Sequence, residues 1–258
     1  MTTTAVDVKR EVAIANRVLW ATGLSAGITA SLGHASLRLP DRADRFLVKG
    51  RGYAMDALAA MRPEDMVTCD LEGNLVDGPP GATQCFEIKM HSWIYKLYPE
   101  VQSVVHVHPR YTVLMSTLGR PLKPMCQEGV QLVARPLPMY PHVKTVVSDQ
   151  EGEEVGRLIK GYKAVLLQGH GATTTGSSLE EAVSNMLHLE EQARMNYQAL
   201  AALGPDYPSL PQELVDEVSN RPPMGELPHF REVFARINGQ PRVGGLWKYY
   251  TDLVAQDL

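Results

Sequence analysis

The sequence predicts an α/β protein, with a three-layer α/β/α fold around a central mixed, largely antiparallel sheet. Three observations carry that expectation. Segments with helical spacing alternate with short strand-like runs, but without the strict βαβ repeat of an all-parallel sheet. Tight-turn signals, Pro40-Asp41-Arg42 and Glu72-Gly73-Asn74, each join two strand-like runs and so imply antiparallel neighbours. The chain has 258 residues, 44% hydrophobic and 21% charged, which suits an ordinary globular domain with a substantial core.

The elements follow in order. Residues 7–23 carry Val8, Val12, Ile14, Ala15, Val18 and Leu19 at helical spacing and stop at Gly23. Residues 36–39 and 45–48 read as short strands on either side of the first turn, and residues 66–70 and 75–76 as the second hairpin. Residues 86–97 read as a helix. The apolar run 101–105 then forms a strand that ends in His106-Val107-His108, and a helix is expected over about 111–118. Residues 164–168 form a buried strand broken by Gly169-His170-Gly171. The best helix begins near Ser178, where Ser178 and Glu181 make a capping box. Its apolar stripe runs through Ala182, Met186, Leu189, Ala193, Tyr197 and Leu200. No repeat, low-complexity tract or long linker precedes about residue 203. From Gly204 proline and charge dominate, until the aromatic stretch Gly244-Gly245-Leu246-Trp247-Lys248-Tyr249-Tyr250. Residues 1–258 thus read as one domain with a proline-rich and aromatic C-terminal extension from about 204. Trp247, Tyr249 and Tyr250 suit either ordinary packing or a reach into a neighbouring copy's site.

Composition excludes several function classes. A net charge of -4 gives no reason to expect nucleic acid or an acidic membrane surface as partner. No apolar run approaches the roughly 20 residues that span a bilayer. The start, Met1-Thr2-Thr3-Thr4-Ala5-Val6-Asp7, lacks the basic and apolar regions of a signal peptide. Cys69, Cys85 and Cys126 are odd in number and widely spaced, which suggests neither a disulfide framework nor a zinc knuckle. A cytoplasmic protein acting on a small molecule is the expectation.

The chemistry starts at His106-Val107-His108. Residues two apart on a strand share one face, so the two imidazoles aim at one point, as a chelated metal needs. Pro109 cannot donate to a ladder and places the pair at a strand end. His170, 62 residues on, lies between two glycines past another strand, and it is the candidate third ligand on a neighbouring strand. Three histidines with open positions describe a catalytic site, although a glycine turn accounts for His170 as well. Glu87 and His91 stand four apart on the helix that leads into the metal strand, and so share a face. By pattern alone Glu87 suits a solvated face, and His91 a core or interface histidine. That position can also set Glu87 beside the metal, as acid/base or further ligand. His142, His188 and His229 carry no distinguishing motif.

Taken together, Glu87, His91, His106-Val107-His108 and Gln168-Gly169-His170-Gly171 resemble the class II aldolase/adducin family. Gly33-His34-Ala35-Ser36-Leu37-Arg38, Lys49-Gly50-Arg51-Gly52 and Asp70-Leu71-Glu72-Gly73-Asn74 support the resemblance, which covers roughly residues 10–203. It implies the family's α/β/α domain, commonly a homotetramer with active sites between subunits. It also implies a divalent metal on His106, His108 and His170, with Glu87 as catalytic acid/base. Manganese or zinc is expected; iron and cobalt also suit three imidazoles.

Two departures redirect the substrate. Sugar-phosphate aldolases of the family hold phosphate with Gly-Asn-x-Ser and Ser-Gly segments, where this chain reads Gly33-His34-Ala35-Ser36 and Gly50-Arg51-Gly52. An imidazole and a guanidinium in place of an amide and a hydroxyl turn a phosphate cradle into a carboxylate-reading pocket. Arg51 can grip a planar carboxylate bidentately, and His34 can donate to a second one or to a phenolic oxygen. A surface turn residue is the plain alternative for each. These variants are similar to the family's metal-dependent aromatic decarboxylases, of the 3,4-dihydroxyphthalate decarboxylase kind. The expected substrate-binding residues are His34, Ser36 and Arg51, and the expected reaction is non-oxidative loss of carbon dioxide from a dihydroxyphthalate or a related pyridine dicarboxylate. The alternatives are an aldolase cleaving a small sugar or sugar phosphate, a sugar-phosphate dehydratase, an iron oxygenase, and a non-catalytic adducin-like scaffold. Intact His106, His108, His170 and Glu87 speak against the scaffold.

Overall fold

The apolar stripe that begins the chain forms α1 (Ala5–Ala21) in the computed structural model, which describes residues 5–236, 245–256 and 258. Met1 to Thr4 and Gly244, both part of the sequence reading, lie outside the described residues. α1 stops just before Gly23, whose φ of +82° closes its N–H onto the Trp20 carbonyl, a reversal that favours glycine.

Two hairpins follow, as the turn signals predict. β1 (His34–Leu39) pairs antiparallel with β2 (Arg42–Arg51), and β3 (Met66–Asp70) with β4 (Leu75–Asp77). The Asp70 carboxylate ties the second turn by accepting from the Asn74 backbone N–H at 2.8 Å and its side-chain amide at 3.0 Å. A short β5 (Thr83–Gln84) pairs with β2 and delivers the chain to α2 (Ile88–Leu97). β6 (Ser103–Val107), α3 (Arg110–Thr117), α4 (Val130–Val133), β7 (Met139–Tyr140) and α5 (Asp149–Leu158) come next. β8 (Ala164–Leu167) and β9 (Gly171–Gly176) form the last hairpin before the long α6 (Leu179–Leu203). The tail holds α7 (Gln212–Ser219), α8 (Arg231–Arg236) and α9 (Leu246–Val254).

The strand order is β4-β3-β2-β1-β6-β9-β8-β7, with β5 branching from β2. Every pairing is antiparallel except β7 with β8, so the sheet is mixed and largely antiparallel, as expected. Both faces are covered. Leu47, Val105 and Leu166 face a core shared with α1 and α6, while Phe46, Val48, Val104, Val165 and Leu167 face one shared with α2 and α5. That double burial explains why strands 104–105 and 164–167 read as continuous apolar runs despite antiparallel pairing. Each fully buried large side chain, Phe46 for example, contributes about 1.5–3 kcal/mol.

Several details depart from the sequence reading. The helix expected over 86–97 starts at Ile88, leaving Glu87 in the N-cap position. Only half of the Ser178 capping box forms: Ser178 Oγ accepts the Glu181 N–H at 3.1 Å, but the Glu181 carboxylate turns back one residue further, to the Ser177 N–H at 2.7 Å. A complete box instead opens α5, from Ser148 and Glu151. β9 carries no apolar alternation and goes unread in the sequence. At the other end of the chain α9 packs back on α1, where Arg17 Nη1 donates to the Val254 carbonyl at 3.0 Å and Trp247 and Tyr250 join the α1 core, while Tyr249 stays exposed. No described helix is long and apolar enough to cross a membrane.

Candidate active site

The sheet assembles the histidines. His34 opens β1 and pairs in register with His106 of β6, so the two rings share the α2-facing side, 5.4 Å apart between centroids. His108 follows one residue past the end of β6, and its Nε2 comes within 3.1 Å of His106 Nε2. His170 sits in the β8–β9 turn. The strand it follows, β8, is not the neighbour of β6; β9 is, and that pairing swings His170 to within 4.6 Å of the His108 ring. Gly171 is required there, because a Cβ would strike the Val107 carbonyl oxygen and the His108 ring. Gly33, at φ +90°, plays the same part before His34: a Cβ would meet the His106 carbonyl oxygen at 2.8 Å.

Glu87 enters from the cap of α2. Its Oε2 lies 3.1 Å from His106 Nε2 and 3.8 Å from His34 Nε2, and its Oε1 lies 3.4 Å from His170 Nε2. Oε1 also accepts the Val146 N–H at 3.3 Å. The expected four-residue helical spacing to His91 is replaced by a cap geometry, and Glu87 and His91 bracket His34 from two sides. Glu87, His106, His108 and His170 each offer a ligand atom within 4.8 Å of the others, with Glu87 and His106 buried.

This donor set suits a divalent cation. Burial, reinforced by the neighbouring imidazoles, pushes His108 down to about 3 and lowers His170 as well, so both rings are neutral near pH 7, the ligating form. Burial alone would raise the Glu87 carboxyl. The His106 and His34 imidazoles that face its carboxylate outweigh it and hold Glu87 well below the usual carboxylate range. Thr173 Oγ1 lies 3.1 Å from His106 Nδ1 and donates to Met90 Sδ at 2.9 Å, so it takes the Nδ1–H of His106 and leaves Nε2 bare toward Glu87 and His108. Among the described residues His170 Nδ1, though buried, makes no well-formed hydrogen bond.

The three expected substrate contacts fall in different places. His34 lies at the centre, buried. Ser36 does not meet that space: its hydroxyl is fully buried and shared by His91 Nδ1 and Tyr95 Oη, each at 2.7 Å. Any effect of Ser36 on a ligand runs through His91. Arg51 stands at the rim, its guanidinium 4.6 Å over the ring of Phe86, the residue before Glu87. Its Nη2 is 3.1 Å from Asp56 Oδ2, while Asp56 Oδ1 is 2.8 Å from Nζ of the buried Lys49. Two cations thus share one carboxylate. Lys49, Asp56, Thr173 and Met90 escape the sequence reading, although Lys49 and Arg51, two apart on β2, could have been placed on one face by strand periodicity. A cavity of about 280 Å³ borders this rim at Gln84, Cys85, Phe86 and Ile88. Larger cavities, of about 560 and 660 Å³, lie along α1 and α9 and are lined by none of the histidine cluster.

The sequence matches the Class II Aldolase and Adducin N-terminal domain family over residues 10–197. A 3,4-dihydroxyphthalate decarboxylase from Terrabacter sp. is 33% identical over 241 residues, 90% of this chain and 95% of that one. A 3-oxo-tetronate 4-phosphate decarboxylase from Pectobacterium atrosepticum is 31% identical over 65% of this chain and 74% of its own. Among solved structures, an L-fuculose 1-phosphate aldolase from Glaciozyma antarctica superposes with a TM-score of 0.74 over 98% of this chain and 92% of that one, at 22% identity, and supports the fold alone.

Proposed function

The chain belongs to the class II aldolase and adducin N-terminal domain family, and from that membership we propose that it is a divalent-metal-dependent carbon–carbon lyase, a non-oxidative decarboxylase of a hydroxylated aromatic dicarboxylate of the dihydroxyphthalate class. The observation that carries this reading is His34: an imidazole, buried at the centre of the site beside Glu87, stands where an aldolase would present an amide to phosphate.

His106, His108 and His170 would hold the cation, manganese or zinc before iron or cobalt, and its chemistry is to stabilise negative charge on a substrate oxygen as the carbon–carbon bond breaks. The remaining work falls to the chain. Ionised Glu87 takes the proton of the ring hydroxyl next to the scissile carboxylate. The carbon–carbon bond pair then stays on the ring carbon as carbon dioxide leaves, and Glu87 returns its proton to that carbon. His34 Nε2–H donates to a substrate oxygen. Arg51 reads the carboxylate that is kept, exchanging its present partner Asp56 for it. In this reading the protein works in the cytoplasm, in aromatic catabolism, as a homotetramer with sites completed between subunits.

The second reading is cleavage of a small sugar or sugar phosphate, favoured by the Lys49–Arg51 pair, which suits a phosphate as well as a carboxylate. One experiment separates them: carbon dioxide release from the purified protein with hydroxylated phthalates, pyridine dicarboxylates, hydroxybenzoates and sugar phosphates. Release from aromatic dicarboxylates alone is expected. Aldehyde from a sugar phosphate, or carbon dioxide only from sugar-acid phosphates, overturns the aromatic assignment. The absence of turnover on every class, in protein loaded with metal, returns the scaffold alternative.

A further inference from the structure

Behind His34 the chain holds a line of polar side chains that the proposed chemistry does not use. His34 Nδ1 is 2.8 Å from His91 Nε2; His91 Nδ1 is 2.7 Å from Ser36 Oγ; Ser36 Oγ is 2.7 Å from Tyr95 Oη. All four residues are buried, from His34 at 4% exposed to His91 and Ser36 at 0%. Packing fixes the line from both sides. Phe46 stacks on His91 at 6.5 Å and leans on Tyr95 at 4.9 Å, and the Arg38 guanidinium covers the Tyr95 ring at 4.7 Å.

The line has a direction, and both ends set it the same way. At the inner end His34 Nε2 faces Glu87 Oε2 at 3.8 Å, beyond direct hydrogen-bond reach, and the negative carboxylate favours a proton on that nitrogen over a lone pair. A neutral His34 therefore carries its proton on Nε2 and leaves Nδ1 bare. His91 must then donate from Nε2, which bares its Nδ1 to accept from the Ser36 hydroxyl. Ser36 Oγ in turn accepts from Tyr95. At the outer end the reverse order would push the Ser36 proton to Tyr95 Oη or to the Val104 carbonyl at 3.4 Å, and the Tyr95 proton to the Gln102 carbonyl at 3.4 Å, all but the first poor acceptor contacts. It would also turn the His34 lone pair on Glu87. Burial disfavours charge further along the line, lowering His91 well below its usual value and raising Tyr95.

We infer that Tyr95, Ser36 and His91 are positioning residues that lock His34 in its Nε2–H tautomer, so that the site presents a fixed donor to a substrate oxygen. The inference rests on the assignment of His34 to substrate binding, and it also explains the grouping of His34, Cys85 and His91 without a second cation. His91 has both nitrogens engaged, and burial keeps Cys85 a thiol.

The test reads the tautomer directly. Solid-state ¹⁵N spectra of histidine-labelled, zinc-loaded protein, with the His34 resonances identified by their loss in His34→Gln, should show Nε2–H and a bare Nδ1. His91→Leu should populate both tautomers of His34, leave the metal content unchanged, and raise KM roughly 10- to 100-fold while kcat changes less. His91→Gln, whose amide can donate to His34 and whose carbonyl can accept from Ser36, should restore the single tautomer and most of the affinity. Tyr95→Phe, which removes only the terminal hydroxyl, should weaken the lock in the same direction. A wild-type His34 protonated on Nδ1 overturns the inference, whatever the variants do. So does a folded His91→Leu with unchanged tautomer and KM. The spectra need no substrate, so they stand if the protein proves to cleave a sugar instead of an aromatic acid.

Discussion

Replacing Thr173 with valine tests whether His106 is held ready to ligate. The side chain keeps its shape and suits a strand, so no cavity forms and β9 is undisturbed. What disappears is the oxygen 3.1 Å from His106 Nδ1, in a place with no solvent: both residues are 0% exposed. Met90 Sδ, which now accepts from Thr173, loses only a weak contact. The His106 Nδ1–H is left buried without an acceptor, at a cost of about 1–3 kcal/mol. For a chain of this size, about 2 kcal/mol lowers Tm by about 4–8 °C. The ring also loses the bond that selects its ligating nitrogen, so metal affinity should fall roughly 10- to 100-fold, with turnover recovered at saturating metal. Thermal unfolding followed by circular dichroism and metal competition against a chromophoric chelator measure the two effects. Wild-type values in both would refute the claim that Thr173 orients a metal ligand.

Glu87→Gln should retain bound metal and lose roughly 10²- to 10⁴-fold in kcat, read by carbon dioxide release; unchanged turnover removes Glu87 from proton transfer. Arg51→Ala should raise KM for a dicarboxylate far more than for the matching monocarboxylate, and equal increases count against a carboxylate clamp. The metal-free protein should lose stability on acidification, because His34 and His108 titrate at about 4 and about 3 in the fold against an ordinary value of 6.5. The unfolded chain binds more protons across that window, so stability is complete above about pH 6.5 and drains away toward pH 3. Urea unfolding at stepped pH measures it; a flat profile between pH 6.5 and 4 contradicts neutral buried rings.

The histidine cluster was legible because its geometry is local. His106 and His108 obey the period of a strand, and His170 advertises itself through Gly171, whose missing side chain lets the turn approach His108. Hairpins were legible for the same reason: a turn residue such as Asp70 acts within four positions of itself. What escaped depends on distant partners. β9 reads Gly-Ala-Thr-Thr-Thr-Gly and shows no apolar rhythm, because its hydroxyls are satisfied by Met90, far away in sequence, and by the Ala182 carbonyl of the following helix. Ser36 looks like a substrate contact from its motif, and only the packing of α2 against β1 reveals that His91 and Tyr95 consume its hydroxyl. Glu87 keeps its place beside the histidines although the helix begins two residues later than its periodicity suggests.

The strand order carries a last consequence. β1, β6 and β9, the strands that present His34, His106 and the support of His106, lie side by side inside the sheet, with at least two further strands on either flank. Such interior strands exchange their amide protons only when much of the molecule opens. Heat should therefore not loosen the strand-borne His34 and His106 ahead of the body of the protein, and any earlier loosening should start at His108, His170 and Glu87, which sit at a strand end, a turn and a helix cap. Amide exchange in β1, β6 and β9 and global melting should follow one curve, and a mutation anywhere in the two cores should shift both together.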